Sequence, residues 1–203
     1  MTVAPAGEPD ALEREWFDRG SAELAPELLG ARLVHETEEG RVGGRIVEVE
    51  AYRGPEDLAA HSSRGRTPRN AVMFGPPGHL YVYLIYGLHH CLNVVAGPGE
   101  KPEAVLIRAL HLDEGVELAR RRRGEAVAEP RLAAGPGNVG SALGIDRGLN
   151  GVDLLRGPVR VEPRLGPRPR ISRGPRIGVD YAGTWAARPL RFWITDDPHL
   201  SRR

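Results

Sequence analysis

Gly44-Arg-Ile-Val-Glu-Val-Glu-Ala-Tyr52, followed by Leu80-Tyr-Val-Tyr-Leu-Ile-Tyr-Gly87 and closing on Asn93, decides how this chain is read. Apolar and polar residues alternate with the period of two that sends successive side chains to opposite faces of a strand. Across residues 41–52, Val47, Val49 and Ala51 share one face, and Glu48, Glu50 and Tyr52 share the other. Residues 80–86 and 90–95 read as a hairpin around Gly87, with Tyr81 and Tyr83 neighbours on one face. A core does not need an acid, an asparagine and several tyrosines in so short a span. A pocket that holds a flat, polar, aromatic object beside an activated water does.

Outward from this stretch, residues 31–38 pair with 41–52 through a turn at Gly40. Residues 21–29 form a short helix with Leu24, Leu28 and Leu29 on one side and Gly30 as its stop. Residues 103–110 alternate again, with Leu106 and Arg108 opposite Val105 and Ile107. Residues 116–123 make an amphipathic helix whose arginines lie at the end that favours positive charge. A shorter helix covers 139–143 before Gly144, and later strands cover 159–162, 176–179 and 190–195. The Pro- and Arg-rich residues 163–175 read as a surface connection. The sum is a mixed α/β (α+β) fold: one compact domain, residues 13–203, with a curved, mainly antiparallel sheet, peripheral helices and a protruding β-hairpin. Residues 1–12, polar and broken by Pro5 and Pro9, read as a flexible tail.

A chain of 203 residues, 40% hydrophobic and 27% charged, has the make-up of a globular domain. No apolar run reaches membrane-span length, and the first ten residues carry no export signal, so a cytoplasmic location is expected. Cys91 stands alone, which excludes an intrachain disulfide and a cysteine zinc cage. Residues 1–60 carry 14 acidic and 6 basic side chains, and residues 61–203 carry 13 and 22. That asymmetry fits a basic face for a polyanion, and fits chance spread over a solvated surface equally well. His89 and His90, adjacent on a strand, point to opposite faces and chelate poorly, so neither metal nor cofactor is expected.

The Glu-Ala-Tyr run within residues 45–61, the Thr67-Pro68-Arg69-Asn70 loop, the tyrosine hairpin and Gly135-Pro136-Gly137 together resemble the 3-methyladenine (alkyladenine) DNA glycosylases of the mammalian-type fold. The likeness runs from about Phe17 to Ile194. It implies a base-excision repair enzyme that flips an alkylated purine (3-methyladenine, 7-methylguanine, hypoxanthine or etheno-adenine) out of double-stranded DNA. Such an enzyme hydrolyses the N-glycosidic bond and leaves an abasic site. A monomer is expected, associated with the nucleoid when bound to DNA.

Glu50 is the expected catalytic base, since a carboxylate beside C1′ both deprotonates water and stabilises an oxocarbenium-like sugar. By resemblance Arg108 positions that water, holding Glu50 ionised as a nearby cation does, and the Ile177 carbonyl adds a contact. Tyr52, His61 and Tyr83 match the residues that sandwich the base, and Asn93 matches the pocket-floor asparagine that crowds the amino group of guanine. Tyr86 matches the tyrosine inserted into the minor groove, and Leu88 extends that wedge. Arg66, Thr67 and Arg69 match a DNA-backbone loop. The N-terminus of a helix over 138–143 offers N–H groups to a phosphate. Asn138 stands where relatives carry lysine, and Gly140 where they carry serine, threonine or cysteine, which predicts one weaker phosphate contact. Lys101, the only lysine, lies in an exposed-looking turn, so no Schiff-base lyase activity is expected. The competing readings are a non-catalytic nucleic-acid-binding module, which would not need Glu50, a metal hydrolase and a free-nucleoside hydrolase.

Overall fold

The computed structural model describes residues 11–97 and 101–202. Its backbone is one eight-stranded sheet with short helices around it: β1 (Arg32–Thr37), β2 (Gly40–Tyr52), β3 (Leu80–Ile85), β4 (His89–Ala96), β5 (Glu103–Glu114), β6 (Val159–Glu162), β7 (Ile171–Gly174) and β8 (Arg191–Ile194). The spatial order is β3-β4-β5-β2-β1-β6, and β8 joins β2 to β7. Every strand pairing is antiparallel. The helices are α1 (Arg14–Phe17), α2 (Ser21–Leu28), α3 (Val116–Arg123) and α4 (Pro136–Leu143). Among the described residues no helix is long and apolar enough to cross a membrane.

The expected alternation organises the packing. Val47, Val49 and Ala51 of β2, Leu80 and Val82 of β3, Leu92 and Val94 of β4, and Val105 and Ile107 of β5 enter one buried core with Leu24 and Leu28 of α2 and Val139 and Leu143 of α4. The odd-numbered partners in β3 and β4 turn the other way. Tyr81 and Val95 join Met73 and Ala104 in a second, smaller cluster, against which Tyr83 packs. The sheet is therefore apolar on both faces at this end, and the second face carries the site.

β2 is central because its first half pairs with β1 on one edge and its Glu48–Glu50 segment pairs with β8 on that same edge, while β5 runs along the other. Register shifts on either side of Glu48 bend it locally. α4 lies unusually close to β4: a Cβ on Gly140 would sit 2.1 Å from the His90 carbonyl oxygen. Glycine at 140 is therefore a packing requirement of this chain.

Several boundaries differ from the sequence expectation. β3 stops at Ile85, because Tyr86 and Gly87 both take positive φ, 53° and 69°, and Leu88 N–H closes the turn on the Ile85 carbonyl at 3.1 Å. Two successive left-handed residues are what a tight hairpin twist demands. α4 begins at Pro136, three residues early, since proline at the first helical position costs no hydrogen bond. Residues 176–179 are not a strand. Arg176 turns inward to a buried partner and Gly178 breaks the extended run at φ 74°, so the pairing moves upstream to β7, inside the expected surface connection. Two of the α3 arginines are spent within the fold, Arg122 on Glu39 and the Ala142 carbonyl and Arg123 on the Leu132 carbonyl.

Candidate active site

Four strands place one residue each in a continuous row. Glu50 of β2 pairs with Leu106 of β5, Leu106 with Asn93 of β4, and Asn93 with Tyr81 of β3. Tyr52, Tyr83, Cys91 and Arg108 sit two residues along on the same face. A cavity of about 260 Å³ opens over this row. Its walls include Tyr52, His61, Tyr83, Asn93 and Arg108, with Ile177 and Tyr181 entering from the loop before β8 and Pro136 from the start of α4. The structure thus gathers Glu50, Arg108, Tyr52, His61, Tyr83 and Asn93 in one place.

Glu50 has no solvent exposure and does not line the cavity itself; it touches three residues that do. Its Oε1 accepts the Ile177 N–H at 2.8 Å, its Oε2 accepts the Tyr52 hydroxyl at 2.9 Å, and Arg108 Nη1 lies 3.4 Å from Oε2. Burial pushes its carboxyl above the usual range, against the pull of Arg108, Ile177 N–H and Tyr52. Arg108 pulls the carboxyl down in the expected direction, and desolvation outweighs that pull. Burial lowers the Arg108 guanidinium, and Glu50 and Glu48 more than offset this, so Arg108 stays charged.

Arg108 is held from behind. Its Nε donates to Glu48 Oε1 at 3.1 Å and its Nη2 to Ser201 Oγ at 3.2 Å. Glu48 in turn accepts the Ser201 N–H and hydroxyl and the Arg191 guanidinium. Alternation alone placed Glu48 beside Glu50; nothing in the sequence linked it to residues 191 and 201.

The aromatic walls differ in character. His61 and Tyr83 meet edge to face at 4.5 Å, and His61 Nδ1 lies 2.9 Å from the Tyr81 hydroxyl. His61 is exposed at the cavity mouth, yet desolvation of its ring and the Arg69 cation push it down to about 4, so it is neutral at physiological pH. Burial, with Glu50 next, raises the Tyr52 phenol, and burial with Cys91 raises that of Tyr83. Behind Tyr52 stands Arg176, 4.7 Å from its ring centroid. Arg176 pairs with Asp57, both side chains fully buried, and also donates to the Ala51 and Trp185 carbonyls. Asn93 Nδ2 donates to the Tyr81 carbonyl at 3.3 Å, which fixes the amide at the cavity floor.

Around the mouth, Tyr86 and Leu88 project from the hairpin at 86% and 78% exposure. Arg66 and Thr67 are exposed on the 61–70 loop. Asn70 ties that loop together, donating to the His61 and Gly65 carbonyls and accepting from Thr67 N–H. Arg69 lies 5.5 Å from the Tyr83 ring centroid, donates to the Leu84 carbonyl and lines the cavity, so it belongs to the wall as well as to the loop. Asn138 turns its Nδ2 back to the Ala134 carbonyl at 2.7 Å. Lys101 is away from the cavity, near Glu56 and Glu103.

Residues 15–198 match the family model described as methylpurine-DNA glycosylase (MPG). The chain is 46% identical to a protein of Streptomyces avermitilis over 99% of its length and 94% of that protein. It is 48% identical to one of Methanocella arvoryzae over 95% and 96%, and 46% identical to one of Myxococcus xanthus over 94% and 93%. Each of these three is named "Putative 3-methyladenine DNA glycosylase". With the family model matched over residues 15–198 and relatives 46–48% identical over nearly the whole chain, the chain belongs to the methylpurine-DNA glycosylase family.

Proposed function

We propose that the protein is a DNA repair glycosylase that removes alkylated purines, 3-methyladenine and 7-methylguanine foremost and hypoxanthine and etheno-adenine as further substrates, from duplex DNA. The observation that carries this reading is the cross-strand row. It sets the Glu50 carboxylate and the Arg108 cation under a cavity with aromatic walls. At about 260 Å³ the cavity is at the small end of ligand pockets, of order 300–1,000 Å³, a size for one base.

Water oxygen bonds to C1′ as the C1′–N bond breaks. The purine leaves with the bonding pair, which cancels the positive charge of an N-alkylated ring, while a neutral purine such as hypoxanthine takes a proton from solvent at a ring nitrogen to leave uncharged; Glu50 takes the proton from the attacking water. An ionised carboxylate has about four acceptor positions. Each Glu50 oxygen receives one N–H or O–H from Ile177 or Tyr52 and keeps a further acceptor position, which the attacking water reaches past the Tyr52, Arg108 and Ile177 lining. In the tautomer where the Tyr81 hydroxyl donates to His61 Nδ1, the His61 proton is on Nε2 and meets an acceptor on the purine edge. Asn93, its amide fixed, crowds the exocyclic amino group of guanine.

No lysine lines the cavity among the described residues, and this supports hydrolysis without backbone cleavage. Duplex oligonucleotides carrying one lesion each, with and without borohydride, test both points. Free base should appear, the strand should stay intact until alkali is added, and no covalent adduct should form. Failure to release any lesion base overturns the glycosylase; a trapped adduct overturns the hydrolytic step.

Tyr86 carries the wedge. A tyrosine in the left-handed region is an outlier, costing about 1–2 kcal/mol, and at 86% exposure no packing compensates. Asn-Gly is the preferred pair for such a turn. Tyr86→Asn is therefore expected to stabilise the fold by about 1 kcal/mol, read as a higher Tm, while weakening lesion capture on duplex DNA. A variant that bound and excised normally would remove Tyr86 from the wedge role.

A further inference from the structure

A second cavity, of about 370 Å³, adjoins the first. The two share Ala59, His61, Arg69, Tyr81 and Tyr181 as a common wall. The outer cavity adds Leu58, Arg64 and Thr67. Tyr181 is the feature that needs a reason. It follows directly on the Ile177–Val179 segment of the candidate site, in a 3-10 turn at Asp180–Trp185, and stands 72% exposed. Leu58 faces the same space at 56% exposure. Large apolar side chains left in water on a rim, beside a pocket, mark an interaction surface.

The charge beside them has one sign. Arg64 and Arg66 are exposed and form no ion pair among the described residues, and Arg69 stacks on Tyr83 without a carboxylate partner. By contrast, Arg120 and Arg122 of α3 and Arg32 and Arg41 at the β1–β2 end of the sheet pair with acids. An exposed aromatic ring flanked by free guanidinium groups complements a nucleotide, with a π-face for the ring and a phosphate for the cations.

We infer that the outer cavity binds the nucleotide next to the everted lesion on the same strand, with Tyr181 stacking on its base and Arg64 meeting its phosphate. This rests on the glycosylase reading, since a lesion held in the inner cavity brings its strand neighbour to the adjoining one. Stacking of this kind tolerates any sequence, because every base has a π-face. The inner cavity thus selects the damaged base, while the outer one adds affinity without selecting its context.

The test is equilibrium binding to a duplex that carries an abasic-site analogue as the flipped position, in three versions: intact neighbours, the 5′ neighbour base removed, and the 3′ neighbour base removed. Tyr181→Ala should weaken binding to the intact version about 5- to 100-fold, the range set by one base stacked on an aromatic side chain. Tyr181→Phe should restore it. In one of the two base-deleted duplexes the native protein and Tyr181→Ala should bind alike, because the partner of the ring is gone. Arg64→Gln should lower the slope of log affinity against log salt by about 0.9, one phosphate contact. Equal binding of Tyr181→Ala and the native protein to the intact duplex overturns the proposal, as does a Tyr181 effect that survives both deletions. If the native protein releases no base from any lesion duplex, it is the glycosylase reading that fails instead.

Discussion

Glu50→Gln is expected to abolish base release while leaving duplex binding in place. General-base catalysis by a positioned side chain is worth about 100- to 10,000-fold, and single-turnover release of 3-methyladenine or hypoxanthine should fall by at least the lower figure. Affinity for an abasic-site analogue should hold, because Glu50 is buried beneath the cavity lining and offers DNA no surface. A Gln variant that released base at a tenth of the native rate or faster would remove Glu50 as the base. The non-catalytic reading makes the opposite forecast, namely binding with no release even by the native chain.

The pH dependence follows from the same burial. Glu50 must be ionised to accept a proton, and desolvation holds its carboxyl above 4.5. The acid limb of the single-turnover rate should therefore lie above the ordinary glutamate range, distinct from His61 at about 4. The stability sign is the reverse of a salt-bridged acid. With the folded pKa above the unfolded one, the folded chain holds the extra proton between the two values, so stability is lost as pH rises through that window. Gln removes the charge responsible, and Arg108 keeps Glu48 as its partner. The Gln variant should then melt no lower than the native protein at pH 7. A loss of activity with a retained Tm cannot be misfolding, and a Tm several degrees lower would contradict the sign.

Local periodicity gave the faces of this site, and the family resemblance gave its roles. A period of two along β2, β3, β4 and β5 is enough to separate Val49 from Glu50, Val82 from Tyr83 and Ile107 from Arg108, and the structure keeps each of these divisions. The same rule puts Tyr81 beside Tyr83 and Cys91 beside Asn93 on that face. What periodicity could not show is anything closed by distant chain. Ser201 on Glu48 and the Ile177 N–H on Glu50 are separations of 153 and 127 residues. No spacing signal connects such partners. Residues 176–179 were misread for a related reason: Arg-Ile-Gly-Val has strand composition, and only the buried acid that captures Arg176 shows why the segment turns inward.

That buried pair is where the largest stability effect is expected. Arg176 Nη1 and Nη2 each donate to an Asp57 oxygen, at 2.5 and 2.8 Å, with both side chains shut off from water. Asp57 also accepts the Arg53 and Ala59 N–H groups, so it organises the turn between β2 and the His61 loop. Removing one member of a buried ion pair leaves the other charge uncompensated and costs about 3–5 kcal/mol. For a domain of this size each kcal/mol moves Tm by roughly 2–4 °C, so Arg176→Met should melt on the order of 6–20 °C lower. Arg176→Lys keeps charge but cannot span Asp57 and the Ala51 and Trp185 carbonyls at once, and should fall between. The pair also sits under the chemistry. Arg176 supports the Tyr52 ring and immediately precedes Ile177, whose N–H holds Glu50. Loosening it weakens two of the hydrogen bonds that pull the Glu50 carboxyl down, so in Arg176→Lys the acid limb of the rate should move to higher pH. A purely structural pair would lower Tm and leave that limb where it was. A double-mutant cycle with Asp57→Asn completes the test: coupling below about 0.5 kcal/mol, the additive limit for independent sites, would show that the two residues do not act on each other.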